Sequence, residues 1–293
     1  MKKLIITGST GMLGSNFAAF ARDKFNLYGL DIEAANPHIS QQIKIDLTDS
    51  QQVSKVIEQI KPDYIVHCAA MTNVDLCETE PERAKLINTQ ATENLVRATG
   101  QDVKFVYIST GSVFDGEKGG YSENDTPSPV NVYARTKLEG EWAVERRQSN
   151  YTIIRTDIIG WNLVRGCSFI EWVFNNLSQG NSIKMFTDVI FTPITVNTLS
   201  ENILEILEKG FTGRVNIGVT APISKYDFGI RFADRMGFDR SLIQSSVLSD
   251  CLLKAQRPKN TSLNTRLAQR FFGKAWTIDD EILRIVKIKE PET

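Results

Sequence analysis

Tyr133 and Lys137 lie four residues apart, so on a helix they share one face, where an ammonium can stabilise a phenolate. Alone, Tyr-x-x-x-Lys carries little information. Thr110 adds to it, because this hydroxyl follows a short apolar run and falls at the carboxyl end of an expected strand, where an open α/β sheet keeps its ligand crevice. A hydroxyl, a phenol and an ammonium beside a nicotinamide can reduce a carbonyl. The phenol would protonate the developing alkoxide and the hydroxyl would orient the same oxygen. A free tyrosine, with a pKa of about 10, exchanges protons poorly near neutrality, and the Lys137 cation together with the nicotinamide charge is expected to bring it closer.

A place for such a cofactor is written near the start of the chain. Leu4 to Thr7 reads as a strand, and Gly8-Ser9-Thr10-Gly11-Met12-Leu13-Gly14 follows it before a helix. Glycines permit the tight turn and let the backbone approach a pyrophosphate, whose charge then faces the helix N-terminus. Asp31 ends the next strand, where a carboxylate can accept both ribose hydroxyls of an adenosine. No Lys or Arg lies between Asp31 and Pro37 to receive a 2′-phosphate, which favours NAD over NADP. Asp46, followed by Leu47, can set a second carboxylate by the adenine or cap the next helix.

These residues need a scaffold, and the chain supplies short apolar runs alternating with helical stretches, the pattern of a parallel sheet covered on both faces. Strands are expected at Leu4 to Thr7, Leu27 to Leu30, Ile43 to Ile45, Tyr64 to His67, Phe105 to Ile108 and Thr152 to Ile154. Helices are expected at Met12 to Arg22, from Ser50 as N-cap to Ile60, from Pro81 to about Thr99 with Gly100 as C-cap, and at Val132 to Arg147. Past about Gly160 the alternation breaks down. Helices Phe169 to Leu177 and Leu199 to Glu208, one capped by Ser224 and one capped by Asp279 are expected there, with a late strand at Arg214 to Ile217. The expected fold is α/β: a Rossmann-type doubly wound parallel sheet over residues 1–160, with a return segment near 190–220, and a smaller, mainly substrate-binding lobe over 161–293.

Composition removes other classes. Lys plus Arg is 34 and Asp plus Glu is 35, a net charge of −1, so no surplus of base exists for nucleic acid or an anionic membrane. With 41% hydrophobic and 24% charged residues the chain has an ordinary globular balance. Cys68, Cys77, Cys167 and Cys251 show no Cys-x-x-Cys spacing, and His38 and His67 are too few and too separated for a metal centre. No run approaches the ~18 apolar residues of a membrane span, so the cytoplasm is the expected location.

The glycine pattern, Ile65-Val66-His67-Cys68-Ala69-Ala70, Thr110 and Tyr133-x-x-x-Lys137 together resemble an extended short-chain dehydrogenase/reductase. Four further stretches are similar to the dTDP-4-dehydrorhamnose reductase family: Met71-Thr72-Asn73-Val74-Asp75 through Glu80-Pro81, Ser109-Thr110 with Val113-Phe114-Asp115-Gly116, Pro129 to Lys137, and Arg257 to Asn264. The resemblance implies NAD(P)H-dependent reduction of the 4-keto group of a nucleotide-linked 6-deoxysugar for polysaccharide sugar biosynthesis; with Asp31, NAD(H) is the expected preference and NADP(H) is possible. It gives Thr110, Tyr133 and Lys137 the catalytic roles. It places Gly8, Thr10, Gly11, Met12, Leu13, Gly14, Asp31, Asp46, Leu47, Cys68, Ala69, Ala70 and Thr72, with Tyr133 and Lys137, against the cofactor, and Val74, Thr110 and Arg257 on the substrate side. It implies no metal and allows a homodimer.

The chain also departs from the family. Gly111 and Ser112 stand where the family usually has Asp and Tyr, and Ile158 stands where an aromatic is usual, with Trp161 nearby. An epimerase or dehydratase on the same scaffold is one alternative, although Gly111 offers no acid beside Thr110. A non-catalytic regulatory subunit that keeps the cofactor fold is another, and an intact Thr110, Tyr133 and Lys137 argues against it.

Overall fold

The computed structural model describes residues 1–33, 36–164 and 166–287. The first half runs β1 (Lys3–Thr7), α1 (Met12–Ala21), β2 (Asn26–Asp31), β3 (Gln41–Lys44), α2 (Ser50–Ile60), β4 (Tyr64–His67), α3 (Val74–Thr79), α4 (Pro81–Lys85), α5 (Ala91–Ala98), β5 (Lys104–Thr110), α6 (Val132–Arg147) and β6 (Tyr151–Ile159). The second half runs α7 (Phe169–Ser178), β7 (Ile183–Phe186), β8 (Ile190–Phe191), β9 (Pro193–Thr195), α8 (Val196–Lys209), β10 (Gly213–Ile217), β11 (Ile223–Ser224), α9 (Lys225–Met236), β12 (Ile243–Ser246), α10 (Arg266–Phe272) and α11 (Ile278–Lys287).

The main sheet is parallel in the order β10-β6-β5-β4-β1-β2-β3, with β9 added alongside β6. Chain order reverses on either side of β1, and a crevice opens at the carboxyl ends there. Both faces are buried, which is why the strands read as unbroken apolar runs. Leu4, Ile6, Val66, Val106 and Ile154 face α1, α8 and the C-terminal helices; Ile5, Ile65, Phe105, Tyr107 and Ile153 face α2, α5 and α6.

Strand β6 changes neighbours along its length. Through Thr156 it pairs with β5 on one side and β10 on the other, and from Asp157 it pairs with β9. The sheet therefore parts at Asp157, beside the end of β5 at Thr110, and the gap is part of the crevice.

Several expected boundaries move. The edge strand at Ile43 to Ile45 lies at Gln41–Lys44, since an edge needs one ladder only and tolerates polar Gln41 and Gln42. The N-cap of α2 is Asp49, not Ser50: its carboxylate accepts from the Gln51 and Gln52 N–H groups at 3.0 and 3.1 Å. The helix begun at Pro81 contains one π turn, Leu86–Gln90, where the buried Asn88 amide bonds Met71 and Thr136. It ends with Thr99 in an extended conformation as C-cap, one residue before Gly100. Near the C-terminus Thr277, not Asp279, caps α11, its hydroxyl accepting the Asp280 N–H at 3.2 Å. The Ser224 cap of α9 and the late strand now called β10 are found as expected.

Candidate active site

The turn after β1 is built for backbone approach. Gly8 has φ +61°, and a Cβ there would lie 2.7 Å from the Ala69 backbone; a Cβ on Gly14 would lie 2.2 Å from the Gly8 carbonyl oxygen. Gly11 is the N-cap of α1 and offers no side-chain acceptor, and the first helical turn holds no acid. The positive end of this helix is thus available to an anion. Thr10 donates twice to Asp31, from N–H and hydroxyl, both at 2.9 Å, fixing the carboxylate at the end of β2.

Two cavities meet at this turn. One, of about 550 Å³, is lined by Asp31, Asp46, Leu47 and Ala69 among others; the second, of about 460 Å³, by Met12, Leu13, Gly14 and Thr72, and then Thr110, Tyr133 and Lys137. Gly8, Gly11, Cys68 and Ala70 line both, so the two form one trough. Its sequence of an acid, a helix N-terminus and a phenol–ammonium pair fits an extended dinucleotide. Asp46 accepts from the Thr48 N–H and hydroxyl at 2.9 and 2.8 Å, which with the Asp49 cap settles the capping alternative. Thr10 acts through Asp31, and Val74, the first residue of α3, lies outside the walls of these cavities.

The chemistry end rests on α6. Asn131 caps that helix, accepting the Ala134 N–H at 2.9 Å, while its amide donates to the Gln256 carbonyl at 2.8 Å. Tyr133 and Lys137 follow one turn apart. The Thr110 hydroxyl accepts the Ser112 N–H at 3.1 Å and lies close enough to the Tyr133 phenol to act on its pKa. Burial pushes the phenol up to about 12, with the Asp157 charge adding and Thr110 opposing. Lys137 by itself does not offset that burial. Lys137 sits with its Nζ 4.1 Å from the centre of the Tyr107 ring, and burial brings it down to about 8 against the pull of Glu141. Beneath lies a fully buried cluster, in which the Arg155 Nε and Nη2 donate to the Glu141 carboxylate at 3.0 and 2.6 Å. His67 is neutral, pushed down to about 3 by burial, between the Thr7 and Thr92 hydroxyls at 2.6 and 3.0 Å. Among the described residues no His, Cys, Asp and Glu cluster could hold a metal.

A third cavity, about 410 Å³, opens toward the C-terminal elements and is lined by Phe169, Trp172, Phe186 and Arg257. Arg257 pairs with Asp75 of α3 at 3.0 Å and donates to the Ala255 carbonyl at 3.1 Å. Two charged residues not foreseen from the sequence, Asp157 and Lys225, line both this cavity and the Tyr133 end of the trough. Gly111 has a structural reason. A Cβ there would lie 2.9 Å from the Thr261 carbonyl oxygen and 3.4 Å from the Asp157 carboxylate. An acid therefore does stand beside Thr110, delivered by β6 instead of the turn.

A family model described as the RmlD substrate binding domain matches residues 1–286. The chain belongs to this family. A probable low-salt glycan biosynthesis reductase, Agl14, of Haloferax volcanii is 30% identical over 94% of this chain and 95% of its own length. Methionine adenosyltransferase 2 subunit beta of Rattus norvegicus is 29% identical over 90% of this chain and 80% of its own. A solved dTDP-4-dehydrorhamnose reductase of Bacillus anthracis, in complex with NADP, superposes with a TM-score of 0.89 at 26% identity, covering 98% of this chain and 99% of that one. The RmlD family match thus spans the trough, the α6 pair and the C-terminal cavity alike.

Proposed function

We propose that this chain reduces the 4-keto group of a nucleotide-linked 6-deoxysugar. The observation that carries the reading is the convergence of Thr110, Tyr133 and Lys137 at one end of a trough whose other end carries Asp31 and Asp46. A nicotinamide dinucleotide supplies the hydride when bound. Tyr133, protonated across the working pH range, gives its proton to the developing alkoxide, and Thr110 orients the same oxygen. Lys137 holds the ribose and balances charge at the phenol. Mixing the protein with nucleotide-linked 4-keto sugars and following reduced-nicotinamide absorbance tests the reading; no oxidation with any of them defeats it.

The methionine adenosyltransferase relative keeps a regulatory reading in view. The intact catalytic trio favours the enzyme. The free thiols of Cys68, Cys77, Cys167 and Cys251 suit a reducing compartment, and we place the reaction in the cytoplasm. Among the described residues no helix is long and apolar enough to cross a membrane.

Asp31 puts a negative charge at the adenosine end, and Arg83, which reaches the same cavity, is paired with Glu80 at 2.8 Å. A 2′-phosphate there meets a mismatch on the order of 1 to 3 kcal/mol, so kcat/KM should favour NADH over NADPH by roughly 5- to 150-fold. Equal or better kinetics with NADPH would remove Asp31 from the role.

Arg257 is the guanidinium for the substrate diphosphate, already oriented by Asp75. Arg257→Lys keeps the charge and loses the fork, so KM for the nucleotide sugar should rise about tenfold while the thermal midpoint barely moves. An unchanged KM with a large fall in midpoint would make the Arg257–Asp75 pair purely structural.

A further inference from the structure

The parting of the sheet places two charges in the wall between the reaction end of the trough and the C-terminal cavity. Asp157 is the first β6 residue past the β5 and β10 ladders, and Gly111, without a side chain, leaves its carboxylate room. Its Oδ2 is buried with no hydrogen-bond partner. Lys225 opens α9, its N–H held by the Val189 carbonyl at 3.0 Å. Its ammonium lies 3.4 Å from the Phe191 ring centre and 4.5 Å from that of Phe169. Among the described residues that ammonium makes no hydrogen bond or ion pair to an acceptor, Asp157 included, although the two groups feel each other's charge.

A buried acceptor without a donor and an ammonium without an acceptor are costly unless a ligand satisfies them. Together they carry no net charge. A carboxylated sugar would meet Asp157 and an amino sugar would meet Lys225, each with repulsion, whereas neighbouring hydroxyls satisfy both groups. Resting on the reductase reading for what enters the cavity, we propose that Asp157 and Lys225 are a specificity-determining pair that reads two neighbouring hydroxyls of the sugar ring, the carboxylate accepting from one and the ammonium donating to the other. On a 4-keto-6-deoxyhexose linked through carbon 1 to its nucleotide, those hydroxyls are the ones on carbons 2 and 3. Burial pushes Asp157 up to about 6 and Lys225 down to about 8, each partly offset by the other, so both are charged in the neutral range where the pair has to work.

The test reads binding without turnover. The full chain, loaded with NADH, is titrated calorimetrically with a nucleotide-linked 6-deoxyhexose already reduced at carbon 4, and with its 2-deoxy and 3-deoxy counterparts. The wild type should bind the hydroxylated sugar about tenfold or more tightly, the range for a hydrogen bond to a charged group. Lys225→Met should bring one of the two preferences within about threefold and Asp157→Ala the other, each by weakening the fully hydroxylated sugar. Asp157→Asn, which keeps a carbonyl acceptor in place, should recover most of it and also serves if the alanine variant does not fold. Equal weakening of all three sugars in either variant, or a wild type indifferent to both missing hydroxyls, overturns the pair. Failure of the reductase reading shows separately, as sugar preference without oxidation of NADH by any 4-keto sugar.

Discussion

Tyr133→Phe is expected to lower kcat by about 100- to 10,000-fold, the range of a lost general acid, while dinucleotide affinity stays within a factor of two or so. The substitution removes one hydroxyl and leaves the ring packed beside Met71, Cys77 and Ala84, so little besides the proton donor is lost. Reductase activity within a few-fold of wild type would take Tyr133 out of the reaction. Lys137→Met should differ by weakening the dinucleotide as well. The sign of the pH effect follows from burial, which lowers Lys137 to about 8. Its ammonium is complete below that pH and is lost as pH rises through it, giving kcat/KM an alkaline limb there that the methionine variant lacks.

The second large effect concerns stability. Arg155 and Glu141 are each 1% exposed, and Glu141 also receives the Ser109 hydroxyl. Arg155→Met leaves a carboxylate buried without its cation, which should cost about 3 to 5 kcal/mol in urea unfolding. The double variant Arg155→Met with Glu141→Met should recover much of that loss, because an apolar pair carries no desolvation penalty. A single variant as stable as wild type would show that the pair contributes nothing net.

The legible parts of this molecule are those set by local pattern. The glycine turn, the alternation of apolar runs and helices, and Tyr133 with Lys137 on one helix are properties of contiguous residues, and the structure has them nearly where the sequence puts them. The expected cofactor residues from Gly8 to Thr72 lie along the trough, apart from Thr10, which works through Asp31. What was not legible depends on distant partners. Asp157 is one acid near the end of a largely apolar strand and Lys225 a residue after a helix cap; only the exchange of β6 neighbours brings them together. The π turn follows from Asn88 reaching Met71 and Thr136, and the small sheet of β7 with β12 pairs segments some sixty residues apart. The burial that raises the phenol is a property of the folded site that no local pattern carries. A faint signal existed for Asp157: one acid in Thr152-Ile153-Ile154-Arg155-Thr156-Asp157-Ile158-Ile159, at the carboxyl end of a strand.

The aromatic seat under Lys225 also bears on binding entropy. A lysine on a surface samples many rotamers, and a ligand that grips it must freeze them, at about 0.5 to 1.5 kcal/mol for such a side chain. Between Phe169 and Phe191 much of that freedom is given up when the chain folds, and Asp157 is likewise held by the β9 ladder. A ring that meets these two groups meets them already in place, so little of its binding energy is diverted into ordering the protein.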